Sequence, residues 1–165
     1  MNRYGVVEGN YLLLVSNDDG RNAIVKSIDG TGNFTIELVG NGTFSLGPFG
    51  SDMQRQACIS LGVRFIKDNR IDVSACTDRT YLSKTVEGEW NGFEHKHERF
   101  SRFLLRLKKE GVQYTGAVVL DGNEVELGSH FMPQPPSTVV ITATNGSENV
   151  PEAGILIDRI SITPN

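Results

Sequence analysis

The chain has 165 residues and a formal net charge of −4 at pH 7, which argues against the basic surface that nucleic-acid-binding proteins present. This length fits a single domain, residues 1–165, large enough to bury about 70% of its unfolded surface. No apolar run approaches the roughly 18 residues that a membrane-spanning helix needs, so we expect neither a nucleic-acid nor a membrane partner.

In chain order, the first feature is an N-terminus that lacks the uninterrupted apolar core of a signal peptide. The chain is therefore either made without a signal or is a mature or excised domain. Short apolar stretches then recur at 11–16, 23–28, 34–39, 57–66, 70–77, 80–86, 114–120, 137–144 and 154–162. Turn-forming sequences such as NDDG, GNG, KDN and LDGN separate them. About a dozen short strands without intervening helices predict an all-β fold, an antiparallel sandwich or barrel.

One hairpin can be predicted in detail, between the stretches at 57–66 and 70–77. Core-facing residues alternate in both strands, so that odd-numbered residues should face one another across the pair. We predict that Phe65 pairs with Ile71, which leaves a three-residue loop with Asn69 in the left-handed conformation.

The opposite face of this hairpin is polar and carries both cysteines of the chain. In the predicted register Cys58 and Cys76 are diagonal neighbours about 7–8 Å apart, too far for an unstrained disulfide, so we expect free thiols. The other residues on this face are Ser60, Arg64, Asp72 and Ser74. They could line a shallow ligand groove or form an ordinary outer sheet face.

Residues 99–109 fit two different structures. Four apolar residues between Phe100 and Leu107 follow the i, i+3, i+4, i+7 spacing of an amphipathic helix, with Gly111 placed as its C-cap. Alternate residues between Phe103 and Leu107 equally fit a strand, and a second β-rich run begins at Val112. The local pattern alone does not decide between a helix and the first arm of a hairpin.

A family resemblance favours the hairpin. The segment FLLRLKKEGVQYTGAVVLDG resembles the central hairpin of concanavalin A-like sandwiches of the β-xylosidase C-terminal type. The matching residues are Leu105, Arg106, Leu107, Gly111, Tyr114, Asp121 and Gly122. SLGVRF at 60–65 and the closing AGILIDRISITP resemble two further strands of that family, and the likeness spans residues 33–162. It departs from the family pattern where a serine should precede Asp121 and a tryptophan should stand near Val125. The resemblance implies a concanavalin A-like jelly roll.

The chain lacks the carboxylate motif that hydrolysis would require. Glycosidases on this fold carry two or three carboxylates on one strand, in an E-x-D-x-x-E arrangement. No such motif occurs in this sequence, and neither does a serine nucleophile elbow.

Sugar binding needs less: an exposed aromatic side chain and polar groups that bond hydroxyls. Trp90 is the single tryptophan and is the predicted platform, although a lone tryptophan is also commonly a core residue. Tyr81 is the second aromatic candidate, and Arg64, Arg79 and Asn91 are the predicted hydroxyl partners.

Asp158 is the candidate metal ligand. Strand alternation places it between Leu156 and Ile160 on an apolar face, where a carboxylate is costly to bury unless it is paired or liganded. Related jelly-roll domains often hold a structural calcium at such a position, so the resemblance makes calcium a candidate cofactor here; the alternatives are that Asp158 pairs with a Lys or Arg, or that it caps a loop.

Three function classes follow. We expect a non-catalytic, lectin-like module that binds oligo- or polysaccharide. The alternatives are a structural or adhesion sandwich of a larger assembly, and a glycoside hydrolase or polysaccharide lyase on the same fold.

Overall fold

The computed structural model describes residues 4–7, 10–15, 21–43, 58–144 and 153–165. The strands in chain order are β1 (Tyr4–Val7), β2 (Asn10–Val15), β3 (Arg21–Ser27), β4 (Phe34–Thr43), β5 (Cys58–Arg64), β6 (Arg70–Cys76), β7 (Arg79–Val86), β8 (Glu89–Lys96), β9 (Arg102–Glu110), β10 (Gln113–Leu120), β11 (Asn123–Phe131), β12 (Thr138–Thr144) and β13 (Ala153–Pro164). A single 3₁₀ turn, Ile66–Asp68, is the one helical element among these residues, and none of them forms a helix able to cross a membrane.

The strands form two antiparallel sheets that pack face to face. One sheet has seven strands in the order β1-β2-β13-β4-β9-β10-β11, and the other has six in the order β3-β12-β5-β6-β7-β8. Because side chains alternate across a strand, each sheet contributes one face to a shared core. The largest fully buried side chains are Tyr114, Ile36, Leu38, Ile59, Leu61, Ile71, Leu82, Leu105, Leu107, Ile141 and Ile155. The predicted antiparallel β-sandwich is confirmed.

The segment that could have been a helix is strand β9. Leu105 and Leu107 are completely buried, whereas the alternate residues Leu104 and Arg106 are only partly buried. Gly111 occupies the turn into β10 with φ +60°, a backbone conformation that favours glycine. The strand is favoured because β9 pairs on both edges, with β4 and with β10, so its backbone groups bond within the sheet.

The hairpin of β5 and β6 corrects the predicted register. Odd residues do face odd residues, but Val63 rather than Phe65 pairs with Ile71. The loop is two residues longer than predicted: pairing ends at Arg64 and Arg70, Ile66–Asp68 forms the 3₁₀ turn, and Asn69 keeps an extended backbone. Lys67 and its neighbour Asp68, not Asn69, adopt the left-handed conformation.

The same shift overturns the prediction of free thiols. Moving the register by two residues places Cys58 directly opposite Cys76, with 4.1 Å between their Cα atoms. The two cysteines form a disulfide across neighbouring strands, on the outer face of the six-stranded sheet. The error came from the loop length, since the alternation of both strands was correct.

A β-bulge corrects the predicted surroundings of Asp158. The register between β13 and β4 shifts between Ile157 and Arg159, so Asp158 is the extra residue and lies exposed. Beyond the bulge the alternation is reversed, and Ile160 packs against the core on the same side as Ile157. The apolar face that would have enclosed this carboxylate is therefore not formed.

Tyr114 is a completely buried aromatic side chain that carries a polar group. Its ring packs edge-on against Phe65, with 5.6 Å between ring centroids. Its hydroxyl has no hydrogen-bond partner among the described residues, and burial raises the pKa of Tyr114 well above that of a free tyrosine.

Candidate functional site

The outer face of the six-stranded sheet brings residues from four consecutive strands, β5 to β8, into three rows. Residues paired directly across antiparallel strands share a face, so each row runs perpendicular to the strands. The first row is Arg64, Arg70, Thr85 and Trp90; the second is Gly62, Asp72, Ser83 and Gly92; the third is Ser60, Ser74, Tyr81 and Glu94. The second row contains two glycines and a serine, so its side chains project less far from the sheet than those of the rows on either side.

Asp72 lies in this low second row. A Cβ at Gly62 would collide with its carboxylate, so the glycine makes the space that the carboxylate occupies. Asp72 is 8% exposed and accepts a hydrogen bond from Arg64 Nη1 at 2.7 Å. Its second oxygen lies 3.7 Å from Arg70 Nε. The carboxylate therefore bridges two guanidinium groups that would otherwise face each other as like charges.

Trp90 fits the same low row from the other side. A Cβ at Gly92 would lie 2.5 Å from Cζ2 and 2.7 Å from Cη2 of the indole, so the six-membered ring covers this glycine. Tyr81 contacts the ring edge-on, with 6.4 Å between centroids and 76° between planes. Trp90 remains 58% exposed. The indole is thus held along its own strand while more than half of its surface meets solvent.

A cavity of about 190 Å³, which we call the groove, lies between these side chains. Its lining residues are Ser60, Arg64, Arg70, Asp72, Ser74, Ser83, Trp90 and Thr142. The Ser60 and Ser74 hydroxyls are hydrogen-bonded to each other at 2.7 Å.

The structure brings together some of the predicted site residues. Trp90 and Arg64 line the groove, and Tyr81 supports the indole from the neighbouring row. Burial, followed by the nearby Glu94 carboxylate, raises the pKa of the Tyr81 hydroxyl. Arg79 lies on the same face outside the groove.

Two predicted hydroxyl partners do not line the groove. The guanidinium of Arg79 is 3.2 Å from both Asp78 and Glu94, and its side chain is largely buried, so it is engaged in ion pairs. Asn91 pairs with Lys84 and stands on the opposite face of β8 from Trp90. Asn91 is therefore not a hydroxyl partner for a ligand in the groove.

Sequence reasoning missed Arg70, Ser83 and Thr142 as lining residues. Arg70 could have been found, because it lies two residues before Asp72 on the same strand and therefore shares its face. Ser83 and Thr142 required knowledge of which strands are neighbours in the sheet, and that information is not local in sequence.

The described residues around Asp158 supply only some of the ligands that a calcium ion would need. Asp158 is exposed, and its Oδ2 accepts a hydrogen bond from Asn41 Nδ2 at 3.1 Å. Within the described residues, no three His, Cys, Asp or Glu side chains gather into a metal-binding group. Calcium takes six to eight oxygen ligands, so a site here would need backbone carbonyls and water in addition to the Asp158 carboxylate.

Comparison with solved structures places the fold. A mutant of the GH43 protein BlXynB from Bacillus licheniformis superposes with a TM-score of 0.76 and 11% identity, over 98% of this chain and 34% of that one. Carbohydrate binding module CBM66 from Bacillus subtilis gives 0.60 and 16% identity over 99% and 92%. Sheep galectin-11 in complex with glycerol gives 0.56 and 13% over 86% and 97%. No protein-family model and no curated protein sequence matches the chain. This chain, which spans about a third of BlXynB, adopts the concanavalin A-like sandwich fold.

Proposed function

We propose that this protein is a non-catalytic carbohydrate-binding module whose ligand occupies the groove. The observation that carries the proposal is Trp90, a tryptophan 58% exposed to solvent at the rim of a polar groove. Large apolar side chains are normally withdrawn from water, and an exposed aromatic beside fixed polar groups is typical of a binding site. A sugar ring offers C–H groups to the indole and hydroxyls to the groove.

The floor of the groove supplies the hydroxyl partners. Asp72 and Arg64 hold each other in a fixed orientation, so their remaining acceptor and donor atoms can bond neighbouring hydroxyls. Ser60, Ser74 and Ser83 add hydroxyls that both donate and accept. Because the groove is shallow and leaves much of the ligand hydrated, we expect weak affinity, micromolar to millimolar, or about 4–8 kcal/mol.

The carboxylates favour binding over hydrolysis. Glycoside hydrolysis uses two carboxylates on either side of the scissile bond. Among the described residues that line the groove, Asp72 is the single carboxylate, and it is already paired with Arg64 at 2.7 Å. Structural likeness to the carbohydrate binding module CBM66 and to a galectin supports the same proposal.

The test uses a glycan array followed by titration of the hits. Since Trp90 is the only tryptophan, its fluorescence reports the groove directly, and we expect quenching or a spectral shift on binding. Trp90→Ala should abolish array binding. Phe131→Ala is the matched control, because Phe131 is equally exposed at 59% but lies on β11 of the other sheet. Binding that survives Trp90→Ala would move the site elsewhere.

A further inference from the structure

The groove carries an excess of positive charge. Two guanidinium groups, Arg64 and Arg70, line it, and Asp72 is the one opposing carboxylate among its described lining residues. The remaining acidic residue on these three rows, Glu94, pairs with Arg79 at 3.2 Å. The local excess of one positive charge contrasts with the net charge of −4 for the whole chain.

The two arginines are not equivalent. Arg64 is held at short range, since Nη1 donates to Asp72 at 2.7 Å and to the backbone oxygen of Val63 at 3.2 Å. Arg70 makes only long contacts through Nε, 3.4 Å to Thr85 Oγ1 and 3.7 Å to Asp72 Oδ2. Its two Nη atoms contact no partner among the described residues, and its side chain is 40% exposed. Arg70 is therefore the cation of the groove whose charge is least compensated.

The distance between Arg70 and Trp90 would allow one sugar ring and its substituent to contact both side chains. They lie in the same row with Thr85 between them, two strands apart. Strands are spaced about 4.8 Å apart, which places their Cα atoms about 10 Å from each other. A sugar ring stacked on the indole would direct a substituent on the ring towards the Arg70 guanidinium. A carboxylate substituent fits the planar fork of Nη donors, to which it can accept two parallel hydrogen bonds.

We infer that the ligand is an acidic sugar, a uronic acid whose ring stacks on Trp90 and whose carboxylate pairs with Arg70. This inference rests on the proposed function and assigns the ligand class of the same groove. Arg70 is its specificity-determining residue, while Arg64 and Asp72 hold the floor.

The deciding experiment compares each acid with its own uncharged form. Trisaccharides of galacturonic, glucuronic and mannuronic acid, as free acids and as methyl esters, are titrated into the full chain at pH 7 while Trp90 fluorescence is followed. We expect at least one acid to bind about tenfold or more tightly than its ester, a difference of about 1.4 kcal/mol. Raising the salt concentration should weaken the acid and leave the ester unchanged.

Two variants locate the effect. Arg70→Gln should remove the preference, so that the acid binds no more tightly than the ester. Arg102→Gln is the matched control, because Arg102 is exposed on β9 of the other sheet, and it should preserve the preference. Equal binding of acids and esters, or of neutral glycans alone, would overturn the inference and leave the proposed function standing. Failure of every glycan to bind would overturn both.

Discussion

Gly92→Ala should separate binding from folding. The new methyl group would lie 2.5 Å from Trp90 Cζ2, whereas carbon atoms in contact are normally 3.5–4.0 Å apart. The indole must therefore move by about 1–1.5 Å or rotate away. Gly92 is not among the residues with positive φ, so its backbone conformation suits alanine, and the nearest backbone atom, Leu82 O, would lie 3.2 Å from the new carbon.

The two consequences differ in magnitude. Displacing the platform should cost about 1–2 kcal/mol of binding free energy, a five- to thirtyfold rise in Kd. Stability should change little, because alanine in place of glycine in a strand contributes about 0.5–1 kcal/mol, which offsets the lost contacts of a ring already 58% exposed. A net change within about 1 kcal/mol corresponds to a Tm shift of at most about 2–4 °C.

The assay pairs a thermal melt with a fluorescence titration of the best glycan from the array. Gly32→Ala is the matched control, because nothing lies within 4 Å of the methyl group it would add. Wild-type affinity in Gly92→Ala would refute the role assigned to the indole, and a Tm loss of more than about 6 °C would show that Gly92 serves the fold.

The remaining predictions concern stability. Reducing the Cys58–Cys76 disulfide, which closes a separation of 18 residues, should lower the free energy of unfolding by about 3 kcal/mol, seen as a lower Tm with a reductant; unchanged melts would contradict the cross-link. Tyr114→Phe removes a buried hydroxyl without a partner among the described residues and should raise stability by about 1 kcal/mol in chemical denaturation. Since burial raises the pKa of Tyr114 in the folded state, the unfolded chain loses this proton first. The wild type should therefore lose stability relative to Tyr114→Phe as pH rises above about 10, and parallel curves would speak against it. If Asp158 holds calcium, a chelator should lower the Tm and Asp158→Ala should abolish that sensitivity; equal melts with and without chelator would remove calcium.

The fold could be predicted because its signals are local. Alternation of apolar residues and turn-forming sequences marked most of the strands, and alternation also placed Ile59, Leu61 and Val63 correctly on the core side of β5. Register depends on loop conformation, which the sequence specifies weakly. A loop two residues longer than expected, which contains the 3₁₀ turn at Ile66–Asp68, was enough to turn an expected pair of thiols into a disulfide.

The site was predictable only in part for a related reason. Trp90 and Arg64 follow from residue type and face, but the two glycines that shape the groove, Gly62 and Gly92, have no signal of their own. Their importance lies in what occupies the space of the missing side chain, a carboxylate in one case and an indole in the other. The bulge beside Asp158 was similarly invisible, because an inserted residue reverses alternation without changing composition.

The position of the groove in the sheet gives its two halves different mechanical properties. Strands β5, β6 and β7, which carry the polar floor, are paired on both edges, whereas β8, which carries Trp90, is an edge strand paired only with β7. Edge strands open locally at lower free energy than interior strands. Among the four strands β5 to β8, amide hydrogen exchange should therefore be fastest in β8 and slowest in β6, the strand that carries Asp72. Because β5, β6 and β7 are held on both edges, their polar side chains keep fixed positions and determine which hydroxyl and carboxylate positions of the ligand are recognised. Local opening of β8 would let the indole of Trp90 adjust to sugar rings of different size. We therefore expect the protein to tolerate substituents on the side of the ligand that faces Trp90.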